Sequence, residues 1–356
     1  MMAAPTVSVL VTTYNHAPFV CECLDSLTAQ TSSDFEIIIT DDASADGTAD
    51  VIRQWLTRTG TAAIFVRNPV NRGICANRNA ALALARGRFI CSLSGDDAYE
   101  PDRIARQVAC FATQPTSVAV VYSDMRMVDA DGRDLGISYL DYHFGRKARP
   151  EANVFSRLLQ GCFIPSPAAM IRREALDQVG HYDESLFYED YDMWLRLSAR
   201  FRFCHLPGNL IRYRVLPTAM SRAPSLRPAM MASTLRILQS WCGKVGAAEG
   251  DLLWRIAVRQ ILQREDGEAR RSLALAGRSG TRAGYLLRPM LAIPGTGALI
   301  RMTYRLVLLA RQLRLRGNFL RTAYRHRSAP RPILRKLSVW TGLSERERSN
   351  PTFPGR

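Results

Sequence analysis

The sequence lacks any long uninterrupted apolar run, which limits how the chain can meet a membrane. The longest charge-free apolar stretch of its C-terminal part, residues 289–300, is 12 residues long and contains Pro294, Gly295 and Gly297. A membrane-spanning helix needs about 20 apolar residues. The apolar run at residues 7–11 is too short for a signal sequence and has no basic segment before it. We therefore expect a cytoplasmic protein without a spanning helix.

None of the eight cysteines has a partner at the Cys-x2-Cys spacing typical of zinc sites. Cys21 and Cys23 fall within a helical pattern, whereas Cys91 and Cys204 lie in or near strand-like runs. Isolated cysteines of this kind are usually small, buried apolar side chains in a reducing compartment. The cysteine pattern therefore gives no support to a zinc site.

Acidic residues are scarce at the C-terminal end of the chain. Residues 278–356 contain 17 Lys and Arg but only Glu345 and Glu347, so this segment carries a formal +15 of the chain's +16. Within it, residues 298–317 place leucines on one helical face and arginines on the other. This basic amphipathic pattern favours peripheral contact with the anionic inner face of the cytoplasmic membrane; the alternative is a helical bundle packed on the rest of the chain. Nucleic acid is not an expected partner, because no basic motif interleaved with aromatic residues is present.

Short β-branched runs alternate with helical patterns in the N-terminal part of the chain. Residues 7–13, 35–40, 62–66 and 88–94 are typical of buried strands, and Gly87 stands where the helix before the fourth run should stop. This alternation predicts an α/β fold with a mostly parallel sheet and helices on both faces. Ligands bind at the carboxyl ends of such strands, so the polar residues that follow the strands should meet on one rim.

Asp96 and Asp97 follow the fourth strand, in the stretch "SLSGDDAYEPDR". Two like charges about 4 Å apart repel by on the order of 4 kcal/mol at an effective dielectric constant of 20. A divalent cation such as Mg²⁺ or Mn²⁺ removes that repulsion and can bridge a carboxylate to substrate phosphates. The alternative is a solvated turn that caps the helix after Pro101.

Three further residues on the expected rim suggest a nucleotide-diphosphate site when they are taken together. Asp42 could accept a hydrogen bond from a base N–H, Tyr14 offers a flat face for stacking, and Arg78 could bind a phosphate. None of them is specific alone, since an aromatic residue after a strand is more often part of a core. Further along, Glu189 and Asp190 open a helix, where they would serve either as a capping pair or to supply a general base.

These residues lie in a set of motifs that resembles the family 2 glycosyltransferases with a GT-A fold, of the bacterial cell-envelope polysaccharide type. The ordered motifs are "VSVLVTTYN", "FEIIITDDASADGT", "NRGICANRNAAL", "FICSLSGDDAYEPDR" and "SLFYEDYDMWLRL"; "FIPSPAAMIRREALDQVGHYDESL" resembles the acceptor-side segment. The resemblance covers about residues 6–222. It implies an inverting, metal-dependent transfer of a sugar from a nucleotide sugar, with UDP favoured, to a hydroxyl of a glycan or a lipid-linked acceptor.

The resemblance also implies a role for each motif residue. Asp97 is the implied ligand of Mn²⁺ or Mg²⁺, and Asp190 is the implied catalytic base with Glu189 as its neighbour. The implied nucleotide contacts are Thr12, Tyr14, Asp42, Arg78 and Asp96.

One position departs from the family pattern. Leu216 stands near the place where many members carry a histidine close to the diphosphate, so Arg214 or Arg222 would contribute there instead. We expect a GT-A domain over residues 1–222, with a nucleotide-binding half at 1–123 and an acceptor half at 124–222. A basic helical region over residues 223–356 should follow it.

Two other functions are compatible with a sheet of this kind. A sugar nucleotidyltransferase would form or cleave a phosphoanhydride, but it should carry a glycine-rich phosphate loop after the first strand, and "TTYNHAP" lacks one. A non-catalytic nucleotide-binding relative would keep the fold without the chemistry. The presence of Asp42, Asp97 and Asp190 argues against that reading.

Overall fold

The protein is described by a computed structural model over residues 4–144, 154–216, 218–220, 223–263 and 265–278. The described residues contain one nine-stranded sheet. Its strands are Val7–Thr13 (β1), Phe35–Asp41 (β2), Ile64–Arg67 (β3), Phe89–Ser94 (β4), Ala98–Tyr99 (β5), Val118–Val128 (β6), Asp134–Ser138 (β7), Ala169–Arg172 (β8) and Arg202–Arg214 (β9).

Helices connect the strands, and after β9 the described part of the chain contains helices but no further strand. Short 3-10 turns lie at Ser166–Ala168, Pro224–Leu226 and Gly246–Ala248. The α-helices are Val20–Thr28 (α1), Thr48–Thr59 (α2), Ile74–Leu84 (α3), Arg103–Ala112 (α4), Tyr139–Phe144 (α5), Phe155–Leu158 (α6), Arg173–Val179 (α7), Asp190–Ser198 (α8), Arg227–Gln239 (α9), Glu249–Leu262 (α10) and Asp266–Arg278 (α11).

The sheet has the order β3-β2-β1-β4-β8-β6-β9-β5, with β7 paired to β6. Strands β1 to β4, whose carboxyl ends were expected to form the rim, run parallel to one another. β8 then inserts antiparallel between β4 and β6, and β9 runs parallel to β6. The predicted α/β class is confirmed, and the sequence signal for parallel strands holds best in the N-terminal half.

Both faces of the sheet are covered by helices, as the apolar runs predicted. Successive residues of β1 point to opposite faces, so Leu10 packs in one core cluster while Val9 and Val11 pack in the other. The first cluster includes residues of α3, α7 and α8, and the second includes residues of α1, α2 and α4. A strand that is buried on both faces needs a continuous apolar sequence rather than an alternating one.

Gly87 has a different role from the helix stop that its position suggests. α3 ends at Leu84, and the residue that follows the helix is Ala85. A Cβ on Gly87 would lie 2.4 Å from the backbone nitrogen of Ser8. The glycine is therefore needed because the chain passes directly against β1 before it enters β4.

The second half of the sheet departs in detail from the sequence pattern. The runs "FRFCHL" and "NLIRYRV" each predict a strand, but together they form one strand, β9, whose register against β6 shifts. The sequence "DADG" at residues 129–132 predicts a hairpin turn, and this turn is present and joins β6 to the antiparallel β7.

Helices α9 and α10 pack on the first core cluster through Leu235, Leu238 and Ile256. α10 and α11 share a small cluster of their own, which includes Ile261 and Leu273. The domain boundary near residue 222 stays a prediction. The basic amphipathic stretch at residues 298–317 lies outside the described residues. Within the described part of the chain, no helix combines the length and the apolar character needed to cross a membrane.

Candidate active site

The carboxyl ends of β1, β2 and β4 lie side by side, so the polar residues that follow these three strands meet at one edge of the sheet. The Asp42 N–H donates to the carbonyl of Thr13 at 2.9 Å, which extends the ladder between β2 and β1. On the other side of β1, the Gly95 N–H donates to the carbonyl of Thr12 at 3.0 Å. The loop that carries Asp96 and Asp97 is thereby fixed next to the end of β1.

Asp42 is buried, and its carboxylate accepts three hydrogen bonds from the protein. The backbone N–H groups of Arg72 and Gly73 donate to it at 2.9 and 2.8 Å, and the side-chain amide of Asn68 donates at 2.9 Å. These bonds tie the start of α3 to the end of β2. A carboxylate offers about four lone-pair positions, so one acceptor position remains for a ligand N–H.

The loops after β1 and β2 interlock through two residues with left-handed backbones. Asn15 has φ 57° and Ala43 has φ 59°, which is uncommon for residues other than glycine. The Asn15 N–H donates to Ser44 Oγ at 2.8 Å, and the Ala45 N–H donates to Asn15 Oδ1 at 2.9 Å. Strained backbone of this kind persists where surrounding contacts enforce it, often at functional sites.

Tyr14 projects from this interlocked pair of loops and is 49% exposed. An exposed ring held on a fixed loop can provide a flat apolar surface without any rearrangement of the protein. The structure thus leaves Tyr14 free of the core packing that is the commoner fate of an aromatic residue after a strand.

Asp97 is buried beside Asp96, and these surroundings disfavour the ionised form of the Asp97 carboxyl group. One carboxylate oxygen of Asp97 accepts the Arg214 N–H at 2.9 Å. Burial and then the adjacent Asp96 carboxylate raise the pKa of Asp97 well above its ordinary value, against the effect of Arg214. Asp96 is less buried, and its Oδ1 lies 3.8 Å from His16 Nε2.

The Asp96–Asp97 pair fits a divalent cation held partly by substrate. Among the residues that the structure describes, no group of three or more His, Cys, Asp or Glu side chains is arranged to hold a metal. Mg²⁺ typically takes one or two carboxylates from the protein and its remaining ligands from phosphates and water. Asp97 is a buried carboxylate whose negative charge the protein compensates poorly, so it can supply the protein's share of these ligands. The oxygen donors of the Asp96–Asp97 pair therefore fit a divalent cation.

Arg214 holds this loop in place through contacts within the protein. Its Nε donates to the Asp96 carbonyl at 3.0 Å, and its Nη1 donates to the carbonyls of Asp129 and Ala130 at 3.2 and 2.8 Å. Its Nη2 donates to the Glu22 carboxylate. Four of its five N–H groups therefore have acceptors within the protein. Leu216, near the expected histidine position, is buried, and Arg222 lies outside the described residues.

Arg78 forms a buried ion pair with Glu189, the first residue of the "ED" motif. The Nη1 of Arg78 lies 2.7 Å from Glu189 Oε1, and their side chains are only 3% and 8% exposed. The guanidinium also donates to Ser166 Oγ at 2.7 Å and reaches Thr12 Oγ1 at 3.5 Å. Burial opposes its charge, but Glu189, Tyr182 and Asp190 together outweigh burial and raise the pKa of Arg78 above its ordinary value. Arg78 therefore joins the rim at the carboxyl ends of the strands to the start of α8.

Among the residues that the structure describes, Asp190 is the carboxylate of the motif without a cationic partner of its own. Burial and then the Glu189 charge raise the pKa of Asp190 from 3.8 to about 7, while Arg78 opposes this shift. A carboxylate with a pKa near the working pH is suited to accept a proton. The Cys162 thiol lies beside it, and burial and the Asp190 charge raise the pKa of Cys162 well above its ordinary value, so this thiol stays protonated.

Several residues that shape the site were missed at the level of sequence. Ser44 lies inside the quoted motif "DDASADGT", and both its backbone N–H and its hydroxyl bind Asp41. Ser166 and Asn68 contact Arg78 and Asp42, respectively. The contacts of Ser166 and Asn68 join residues that lie 88 and 26 positions apart along the chain, and no local pattern signals such pairings.

A model of the family described as Glycosyl transferase family 2 matches residues 8–180. The chain is 26% identical over 262 residues to an uncharacterized glycosyltransferase of Methanocaldococcus jannaschii, covering 72% of this chain and 86% of that protein. Residues 8–180 belong to glycosyl transferase family 2. It is also 31% identical over 203 residues to the chondroitin synthase of Pasteurella multocida; that match covers 57% of this chain but only 20% of the synthase.

Two solved structures resemble this fold. S. aureus TarS 1-349 in complex with UDP-GlcNAc has a TM-score of 0.59 and 19% identity, and the match covers 84% of this chain and 91% of that one. The mannosyltransferase PcManGT of Pyrobaculum calidifontis, in complex with GDP-Man and Mn2+, has a TM-score of 0.55 and 19% identity, with coverage of 85% and 88%. The expected GT-A type fold of this glycosyltransferase is confirmed.

The contacts of Arg214 generate a test of its structural role. Arg214→Lys replaces a planar donor fork with one ammonium, which cannot reach Glu22, Asp96 and the turn after β6 together. We expect the free energy of unfolding to fall by about 1–3 kcal/mol, measured by urea denaturation. Arg212→Lys is the matched control: Arg212 pairs with the same Glu22 at 3.3 Å with both side chains partly exposed, so its loss should stay within about 1 kcal/mol. Equal stability of Arg214→Lys and the parent protein would contradict the role.

Proposed function

We propose that this glycosyltransferase moves a sugar from a nucleotide sugar, preferably a UDP-sugar, to an acceptor hydroxyl with inversion at the anomeric carbon. The observation that carries the proposal is the state of Asp190, whose pKa is raised to about 7 by burial and by Glu189. Asp190 directly follows Glu189, whose ion pair with Arg78 reaches the rim at the carboxyl ends of β1, β2 and β4. A proton acceptor is thus held next to the place where a nucleotide would bind.

The inverting course follows from how many carboxylates are available. Retention by double displacement needs a nucleophile in addition to the proton-transferring group, whereas single displacement needs only one base. Glu189 is committed to Arg78 at 2.7 Å, so Asp190 is the carboxylate of the motif that remains. Asp190 takes the proton of the acceptor hydroxyl, whose oxygen bonds to the anomeric carbon as the bond to the nucleoside diphosphate breaks.

The nucleotide would lie on the rim formed by β1, β2 and β4. We assign the base to the exposed face of Tyr14 and to the remaining acceptor position of Asp42, with Thr12 beside them. Asp96 is assigned to the ribose. Arg78 then acts through its ion pair and its reach to Thr12, rather than as a freely exposed phosphate ligand.

A divalent cation, Mn²⁺ or Mg²⁺, would be held by Asp97 and would neutralise charge on the leaving diphosphate. The presence of Mn2+ in the related mannosyltransferase structure supports this choice. The preference for UDP is supported by the TarS complex with UDP-GlcNAc, while the complex with GDP-Man shows that the fold also accommodates another base.

We assign the acceptor to the class of glycans or lipid-linked saccharides of the bacterial envelope. The sequence motifs and the match to a polysaccharide synthase support this class. Peripheral placement on the inner face of the cytoplasmic membrane is supported by the +15 charge of residues 278–356.

The base assignment predicts a loss of turnover in Asp190→Asn. We expect kcat to fall by about 10²–10⁴ while the affinity for UDP is unchanged, because the amide cannot take a proton. In the parent enzyme, kcat should decline as the pH falls through about 7, since Asp190 then becomes protonated. Asp192→Asn is the matched control: Asp192, two residues away on α8, pairs with Arg196 at 2.7 Å, and its loss should leave kcat near the parent value. Full turnover by Asp190→Asn would exclude this base.

The metal assignment predicts that Asp97→Asn loses Mn²⁺ binding without losing the fold. The asparagine oxygen can still accept the Arg214 N–H, but it lacks the charge that a divalent ion needs. Electron paramagnetic resonance of Mn²⁺ in the presence of UDP measures this directly, independently of turnover. Asp102→Asn, at an exposed carboxylate paired with Arg106, should bind Mn²⁺ as the parent does. Unaltered Mn²⁺ affinity in Asp97→Asn would remove Asp97 from the site.

The membrane assignment predicts that the protein co-sediments with anionic vesicles of phosphatidylglycerol at low salt, and much less at high salt. Neutral phosphatidylcholine vesicles serve as the control. Replacing Arg301, Arg305 and Arg316 by Gln should weaken sedimentation, because each basic residue near such a surface contributes about 1 kcal/mol. Equal binding to neutral and anionic vesicles would refute an electrostatic role for this segment.

A further inference from the structure

Residues 185–189, here called the approach segment, lead directly into Asp190 and contain neither helix nor strand. Backbone groups in such a segment must find partners elsewhere, because no ladder supplies them. The Leu186 N–H donates to the Asp183 carbonyl at 3.1 Å, and the Leu186 carbonyl accepts from the Cys75 thiol at 3.4 Å. These contacts fix the segment on the side of α3.

The other side of the approach segment is held by α9. The Phe187 N–H donates to Ser233 Oγ at 2.7 Å. Tyr188 Oη lies 2.6 Å from Thr234 Oγ1. Because the Thr234 hydroxyl lies 2.8 Å from the Met230 carbonyl and donates to it, Thr234 accepts the hydrogen bond from Tyr188.

A third residue of α9 extends this contact. Arg236 donates to the carbonyl and to the hydroxyl of Ser185 at 3.0 and 2.9 Å. Three residues of one helix thus hold three of the five residues that precede Asp190. Ser233 is buried, so its bond to the Phe187 N–H is not readily replaced by water.

Glu189 closes the arrangement from the sheet side, because Arg78 holds it at 2.7 Å. Asp190 therefore follows a segment that is anchored to the sheet through α3 and to the helical region through α9. A catalytic base has to come within about 2.6–3.2 Å of the proton that it removes. A displacement of about 1 Å can cost on the order of 10² in rate.

We propose that Ser233 and Thr234 are positioning residues for catalysis, which act on Asp190 through the approach segment. The inference rests on the proposed role of Asp190 as the base. Both residues lie beyond residues 8–180, which the family model matches. The helical region after β9 therefore contributes to the active site and is more than an appendage to it.

The double variant Ser233→Ala/Thr234→Val in the full-length chain tests the proposal. It removes both hydroxyls with little change in shape. We expect kcat to fall at least about tenfold, while the dissociation constant for UDP with Mn²⁺ stays within about twofold of the parent value. The single variant Thr234→Val keeps the buried Ser233 bond and should give a smaller loss in the same direction, so the proposal is still tested if the double variant does not fold.

Conservative and control variants separate positioning from general destabilisation. Ser233→Thr and Thr234→Ser keep the hydroxyls and should retain most of the parent kcat. Ser240→Ala removes an exposed hydroxyl that donates to its own helix, at 2.8 Å from the Ile237 carbonyl, and should change neither kcat nor UDP affinity.

The outcomes distinguish this inference from the proposed function. Parent turnover in a folded Ser233→Ala/Thr234→Val variant, with Asp190→Asn inactive, would overturn the positioning role alone. Equal losses of kcat and of UDP affinity would overturn it too, since they would indicate a general disturbance of the fold. An active Asp190→Asn variant would instead overturn the assignment of the base.

Discussion

The buried ion pair between Arg78 and Glu189 is the constraint on which the rest of the site depends. Both side chains are almost fully buried, so each is tolerable only in the presence of the other. The pair joins α3, which starts at the Asp42 contacts, to α8, which starts at Asp190. It also determines the electrostatics of the "ED" motif. Because Arg78 pairs with Glu189, Asp190 is left next to a negatively charged carboxylate.

The two aspartate pairs on the rim illustrate how identical sequences acquire different properties. Asp41 and Asp42 are surrounded by donors: backbone N–H groups, hydroxyls, the Asn68 amide and Arg67, whose Nε lies 3.5 Å from Asp41. Asp97 receives one N–H and faces another carboxylate. Asp41 and Asp42 hold the loops in place, whereas the Asp96–Asp97 pair retains a poorly compensated negative charge that a bound ligand can neutralise. Adjacency of two aspartates in the sequence does not distinguish these situations, because the difference lies in the donors that other segments bring.

The strand and helix pattern of the N-terminal half could be predicted because buried parallel strands have a local signature of short β-branched runs. Val7–Thr13 matches its predicted bounds, and the meeting of Thr12, Asp42 and Asp96 on one rim followed from the parallel order. β8 could not be placed in this way, since a four-residue strand takes its antiparallel position from its neighbours β4 and β6. The family resemblance implied roles for Glu189 and Asp190, but it did not indicate that Glu189 would pair with Arg78, 111 residues away along the chain. Arg214 likewise seemed available for a phosphate until its four acceptors, spread over three segments, were brought around it by folding.

The hold of α9 on the approach segment has a consequence for how such enzymes diversify. The part of the chain that carries the recognisable family motifs and the part that holds the segment before Asp190 are different stretches of sequence. A recombination event that joined residues 1–222 to another helical extension would therefore preserve every motif and still replace the residues that face Phe187 and Tyr188. Compatibility between the two stretches, rather than the motifs alone, would decide which of the resulting chimaeras could be inherited as working enzymes.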